Sequence, residues 1–191
     1  MRVIATTVAS ALVLVCATGA SVYAAPPTGP PVETALAPVV ELSADRLATA
    51  ELMAAAKWHS GDPVEAPERE ETVLAQAERS ALDLDGDPAT ALTVMRDQIE
   101  ANKVIQRGRH AQWYARPEQG PEGAPDPTGV RAELDRITPA LVGALTEAGA
   151  GLSAPDCEAG LERNVRRVAA ERGLDRRGRA ALRMALSSVC S

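Results

Sequence analysis

At 191 residues, 46% of them hydrophobic and 24% charged, the chain is long enough for one domain with a substantial core. A formal net charge of −6 leaves no basic excess to release counterions from phosphates, which argues against a nucleic-acid partner. Aromatic residues make up only 2% and Phe is absent, while Ala, Leu, Glu and Arg dominate, so the composition predicts an all-α fold.

Taken in chain order, residues 1–24 read as a signal peptide. Arg2 supplies a positive start, and "VIATTVASALVLVCATGA" is an apolar stretch too short and too weakly flanked for a membrane anchor. "VYA" before Ala25 offers a small-x-small pattern, which places cleavage near Ala24/Ala25. Cys16 lies in "VLVC", a poor lipobox. Removal of the segment leaves Cys157 and Cys190 in an exported chain, where two cysteines are expected to pair.

Residues 25–38 form a Pro-rich tail, and residues 39–191 are expected to fold as a single-domain bundle of about six helices. The first helix is predicted from about Val39 to His59, ending at "SGDP", and the second from about Pro67 to Leu82. Asp87 reads as the N-cap of a third helix that opens on Pro88 and continues to about Ala115. "RPEQGPEGAPDPTG" is a connector punctuated by proline and glycine. A fourth helix covers about Thr128 to Ala148, bent at Pro139. The last two, about Pro155 to Arg172 and Asp175 to Val189, form a hairpin around Gly173.

Several kinds of chemistry find little support. Asp83, Asp85 and Asp87 resemble the start of a calcium loop, but Pro88 and Val94 stand where the loop wants Gly and Glu. His59 and His110 are the only histidines, and neither is spaced with a second ligand. No nucleophile–base set and no Gly-rich phosphate loop can be assembled. No metal and no cofactor is expected.

The informative anomaly lies in "MRDQIEANKVIQRGRHAQWY" (Met95–Tyr114). Leu92, Met95 and Ile99 begin an apolar stripe at helical spacing, which runs on through Asn102 and Gln106 toward Trp113. Two amides on a buried face either hydrogen-bond within a core or line a polar pocket. Cations also interrupt the other helical patterns. Arg46 and Lys57 are eleven residues, or three turns, apart on one face with Ala50 and Met53 between them. Arg69 shares a face with Val73 and Ala77, and Arg131 borders the stripe Val130, Leu134, Ile137, Leu141. Each cation alone reads as a snorkelling surface group. Four cations and two inward amides together describe a pocket for a small dianion.

In their order and spacing these residues resemble a chorismate mutase of the AroQ class, and specifically its exported gamma subclass. The pattern is Arg46, then "KW" at Lys57–Trp58, Arg69, "DQIEANKVIQ" with Asn102 and Gln106, and Arg131 after a Pro-rich connector. The resemblance extends to "SAPDC" at Ser153–Cys157 and to the terminal "SSVC". It implies rearrangement of chorismate to prephenate, with Arg46 and Arg131 clamping carboxylates and Arg69 in the same anion-binding set. It implies Lys57 and Gln106 as donors to the ether oxygen, Asn102 against the substrate, and Glu70 at the ring hydroxyl. The backbone near Ala66 belongs to the same implied set, and a homodimer is implied as well. Two positions depart from the pattern. Asn102 stands where Ser or Thr is common, and Gln106 where gamma members often carry Glu.

A unimolecular rearrangement needs no base, nucleophile or metal, which suits a chain in which none is found. The competing expectation is an exported helical adaptor or chaperone, in which Asn102 and Gln106 would be satisfied core amides.

Overall fold

The computed structural model describes residues 31–190; the expected signal peptide, the rest of the tail before Pro31 and Cys16 lie outside the described residues. Among the described residues there are six α-helices and no strand: α1 Val32–Ser60, α2 Pro67–Asp83, α3 Pro88–Ala115, α4 Pro127–Ala148, α5 Cys157–Glu171 and α6 Arg176–Ala185. Short 3-10 turns at Pro117–Gln119 and Gly149–Ser153 complete the connections. No described helix is long and apolar enough to cross a membrane.

Helix α1 is the spine of the bundle and packs against α3, α4 and α5, while α2 closes over α3 and α4. With almost no aromatics, the core is built from Leu, Val and Ala. Ala44, Ala50, Ala77, Ala81 and Ala101 are buried at the contacts, and such small side chains let helix backbones approach closely. Aromatic packing is confined to one end, where Trp58 makes edge contacts with His110, Trp113 and Tyr114.

Helix α1 begins seven residues before its expected start at Val39, because tertiary packing overrides Pro38 inside the helix. A proline there removes one backbone donor and crowds the preceding turn, at a cost of roughly 3 kcal/mol. Against this, Leu36, Val39 and Val40 are wholly buried, and each such burial contributes roughly 1.5–3 kcal/mol. Helix α5 holds the extension in place: Asn164 Nδ2 donates to the Glu33 carbonyl at 2.8 Å. Gly160 makes the close approach possible, since a Cβ there would lie 3.4 Å from the Glu33 backbone.

The other helices follow the sequence signals to within a few residues. Asp87 caps α3 by accepting from the Ala89 and Thr90 amides, and Asp126 caps α4 in the same way at Thr128 and Gly129. Helix α4 runs on through Pro139 without interruption. The acidic "DLDGDP" stretch serves as a turn, with Gly86 seated so tightly against Thr146 that a Cβ would collide with its hydroxyl.

Cys157 and Cys190 are bonded, with Cα atoms 5.8 Å apart. The bond ties the start of α5 to the segment after α6, on the side of the bundle away from α2. Closing 33 residues of chain is worth roughly 3–4 kcal/mol in the chain-entropy account. Reduction should therefore lower the melting temperature by on the order of 10 °C. Turnover at room temperature should survive, because the cavity described below is built by α1 to α4. Loss of turnover on reduction, with circular dichroism unchanged, would show that the bond does more than stabilise.

Candidate active site

An open cavity lies between α1, α2, α3 and α4. It gathers the side chains that the resemblance implies for substrate: Arg46, Lys57, Arg69, Glu70, Asn102, Gln106 and Arg131 all line it. The Ala66 stretch contributes to the wall as well. Met53, Val64, Val73, Ile99 and Leu134 supply the apolar part of the lining.

Arg46 stands on α1 at 3% exposure, with no carboxylate in salt-bridge contact among the described residues. Its Nη1 donates to Thr138 Oγ1 at 3.0 Å, and its Nε has no partner. Burial, followed by the neighbouring Arg69 charge, lowers its pKa to about 10, with Asp135 opposing. The guanidinium is thus cationic at neutral pH, buried and unneutralised, an arrangement that costs several kcal/mol unless an anion joins it. Arg69 on α2 is ion-paired with Asp135 of α4, and its Nε is likewise unpartnered. Arg131, on the first turns of α4, is exposed and makes no ion pair among the described residues.

Lys57 is placed one turn from the end of α1 and reaches toward the loop that follows. Its Nζ donates to the Val64 carbonyl at 2.6 Å, which leaves two protons for other acceptors. Burial lowers its pKa, and the Arg131 charge lowers it further, while Glu65, Glu70 and Asp62 act in the opposite sense.

The two amides of α3 are joined. Asn102 Nδ2 points at the Arg46 carbonyl at 3.3 Å and at Thr49 Oγ1 at 3.5 Å, so its Oδ1 turns the other way. Gln106 Nε2 donates to that Oδ1 at 2.6 Å. This contact fixes which end of the Gln106 amide is which, a choice that only the hydrogen-bond network can make. One Nε2 proton remains free, and Oε1 is buried without a partner. Gln98, about two turns before Gln106 on α3, gives the contrast. It is 1% exposed, and its Nε2 is satisfied by Ser43 Oγ at 2.7 Å and the Ala185 carbonyl at 2.9 Å. The satisfied core amide that the adaptor reading requires is Gln98, not Gln106.

Among the described residues, the buried side-chain polar atoms without a partner are Arg46 Nε, Arg69 Nε and Gln106 Oε1. All three belong to residues lining the same cavity. Buried polar groups are normally paired, and the three residues that depart from this all stand around one cavity.

Sequence reasoning passed over one charged lining residue, Lys103. Its spacing from Glu100 reads as an ordinary surface pair on a helix, yet its side chain is only 11% exposed and also bonds Glu70 of α2. Only its neighbour Asn102 could have drawn attention to it. His59 and His110 stand apart from this chemistry, bonded to the Pro121 and Ala54 carbonyls respectively.

The fold and the cavity together define a helical bundle that, among the described residues, brings arginine, lysine and amide groups to the walls of one pocket. A family profile described as chorismate mutase type II matches residues 37–107. The secreted chorismate mutase of Mycolicibacterium smegmatis is 35% identical over 155 residues, covering 81% of this chain and 86% of that protein. The secreted chorismate mutase of Mycobacterium tuberculosis is 33% identical over 169 residues, covering 86% and 85% respectively. The crystal structure of the Burkholderia thailandensis chorismate mutase superposes with a TM-score of 0.78 at 40% identity, over 82% of this chain and 99% of that one. The chain belongs to the chorismate mutase family, and it is an enzyme of the AroQ class. An adaptor or chaperone is not the reading these relationships favour.

Proposed function

We propose that the cavity binds chorismate and holds it in a compact chair for rearrangement to prephenate. The residues act as a fixed set of charges and donors. The observation that carries this reading is that Arg46, Arg69 and Gln106, the residues with unpartnered buried polar atoms among those described, all line one cavity.

Chorismate brings two carboxylates, a ring hydroxyl and an enol ether whose C–O bond breaks as a new C–C bond forms. Arg46 of α1 and Arg131 of α4 clamp the carboxylates, and Arg69 belongs to the same anion-binding set. Guanidinium groups suit this task because they bind carboxylates bidentately and stay charged in a dry site. Lys57 and the free Nε2 proton of Gln106 donate to the ether oxygen as negative charge grows on it. Asn102 aims the Gln106 amide and borders the substrate, and Glu70 accepts from the ring hydroxyl. Holding the reacting carbons together supplies much of the remaining acceleration.

The reading also takes residues 1–24 as a signal peptide, with the mature enzyme acting outside the cytoplasm as a homodimer. The description of both mycobacterial relatives as secreted supports the export. Adding purified mature chain to chorismate should accelerate the loss of its ultraviolet absorbance, with prephenate as the sole product. Arg46→Ala should abolish most of that acceleration. A full rate in Arg46→Ala would place the reaction elsewhere.

A further inference from the structure

Lys103 lies one residue beyond Asn102 on α3, at the cavity wall, and its surroundings define its task. Its Nζ is 3.0 Å from Glu70 Oε2 and 3.2 Å from Oε1, and it also pairs with Glu100. Two carboxylates occupy the ammonium, which leaves it no clear direction in which to take a ligand itself. Burial disfavours its charge, but the Glu100 and Glu70 contacts outweigh that and raise its pKa, so it stays cationic at every ordinary pH.

Glu70 depends on this contact. Its only other side-chain anchor among the described residues is the Ala66 amide, which donates to Oε1 at a long 3.3 Å. Arg46, Lys57, Arg69 and Arg131 line the same cavity. A Glu70 side chain released from Lys103 would be drawn toward those cations, into the space where a substrate carboxylate must bind. Lys103 on α3 holds it back against α2.

We propose that Lys103 is a positioning residue, fixing the Glu70 carboxylate at the cavity wall where it accepts the ring hydroxyl of chorismate and is kept off the carboxylate-binding cations. The inference rests on the role given to Glu70 above.

The test is a double-mutant cycle on the mature enzyme with Lys103→Met, Glu70→Gln and the pair, measured with chorismate and with its analogue lacking the ring hydroxyl. With chorismate, Lys103→Met should lose about ten- to a hundredfold in kcat/KM, the scale expected when a polar group is misplaced in a site built around it. KM should rise as well as kcat fall, because the freed carboxylate competes with substrate. In the Glu70→Gln background the same substitution should change kcat/KM less than about twofold, since coupled residues are not additive. Lys103→Arg should recover most of the activity, and the deoxy analogue should be nearly insensitive to Lys103→Met in kcat.

A full loss from Lys103→Met in the Glu70→Gln background would overturn the positioning role while leaving the Glu70 role standing. Normal kcat/KM for Glu70→Gln alone would overturn both. Circular dichroism and melting curves accompany each variant. Should Lys103→Met fail to fold, Lys103→Gln enters the same cycle, and additivity there overturns the proposal equally.

Discussion

Lys57→Ala is expected to lower turnover by about two orders of magnitude or more, the loss measured elsewhere when one preorganised donor to a developing oxyanion is removed, about 3–4 kcal/mol. The structure explains why so large a kinetic effect should leave the fold intact. Lys57 stands at the edge of the cavity near the end of α1, and its one protein hydrogen bond is to the Val64 carbonyl in the following loop. The direction of its pKa points the same way. A cation whose folded pKa lies below its unfolded value costs stability at neutral pH, and that cost disappears only as pH rises through the unfolded value of 10.5. Removing the ammonium removes the cost, which works against any destabilisation from lost packing. The same shift predicts an alkaline limb in the native enzyme. Turnover should fall as Lys57 loses its proton, with a midpoint below 10.5. In Lys57→Ala that limb should be absent from the residual activity. Near-normal turnover in the variant, with an unchanged circular dichroism spectrum, would remove Lys57 from the mechanism.

The helices were legible in the sequence because their ends carry strong local signals, as at Asp87–Pro88 and Gly173. The start of α1 was not. Pro38 is a local stop signal, and what overrides it is long-range packing of α1 against α5, where Leu36 lies beside Gly160. The candidate site was legible where a residue breaks its helix pattern: Arg46 in line with Ala50, Met53 and Lys57 on one face, or amides in an apolar stripe. Lys103 violates nothing locally, since a lysine three residues after a glutamate is ordinary helix chemistry. Only the position of Glu70 across the cavity reveals its burial. The two departures from the family pattern also acquire a common cause. Asn102 presents an oxygen to position 106, because its nitrogen is committed to the Arg46 carbonyl and Thr49. An acceptor there requires an amide donor at 106, whereas the Ser or Thr found in relatives can donate to a carboxyl group. Asn102 and Gln106 are therefore a matched pair.

That match governs what should happen in Gln106→Glu. A neutral amide donates at every ordinary pH, whereas a carboxyl group donates only while protonated, and then through one hydrogen instead of two. The native enzyme should show little change in turnover from this position between about pH 5 and 8. In the variant, the nearby charges of Lys57, Arg46 and Arg131 favour the ionised carboxyl group, while burial and the facing Asn102 oxygen oppose it. Once ionised, the side chain confronts two acceptors, Asn102 Oδ1 on one side and the ether oxygen on the other. It then repels the charge that the transition state must build. Turnover should fall by about tenfold per pH unit above the new pKa, as expected when one protonated group is required. It should recover as pH falls, within the range where circular dichroism shows the variant folded. Its best rate should stay below the native one, because its single proton has two oxygens to serve. Adding Asn102→Thr should then raise the rate of Gln106→Glu, since the threonine hydroxyl can donate to the carboxyl group where Asn102 could only accept. The native protein, Gln106→Glu and the double variant are compared by pH profile of turnover, with folding checked at each pH. A flat profile at the native rate for Gln106→Glu would mean that this side chain never touches the ether oxygen. A double variant no better than the single one would separate Asn102 from Gln106.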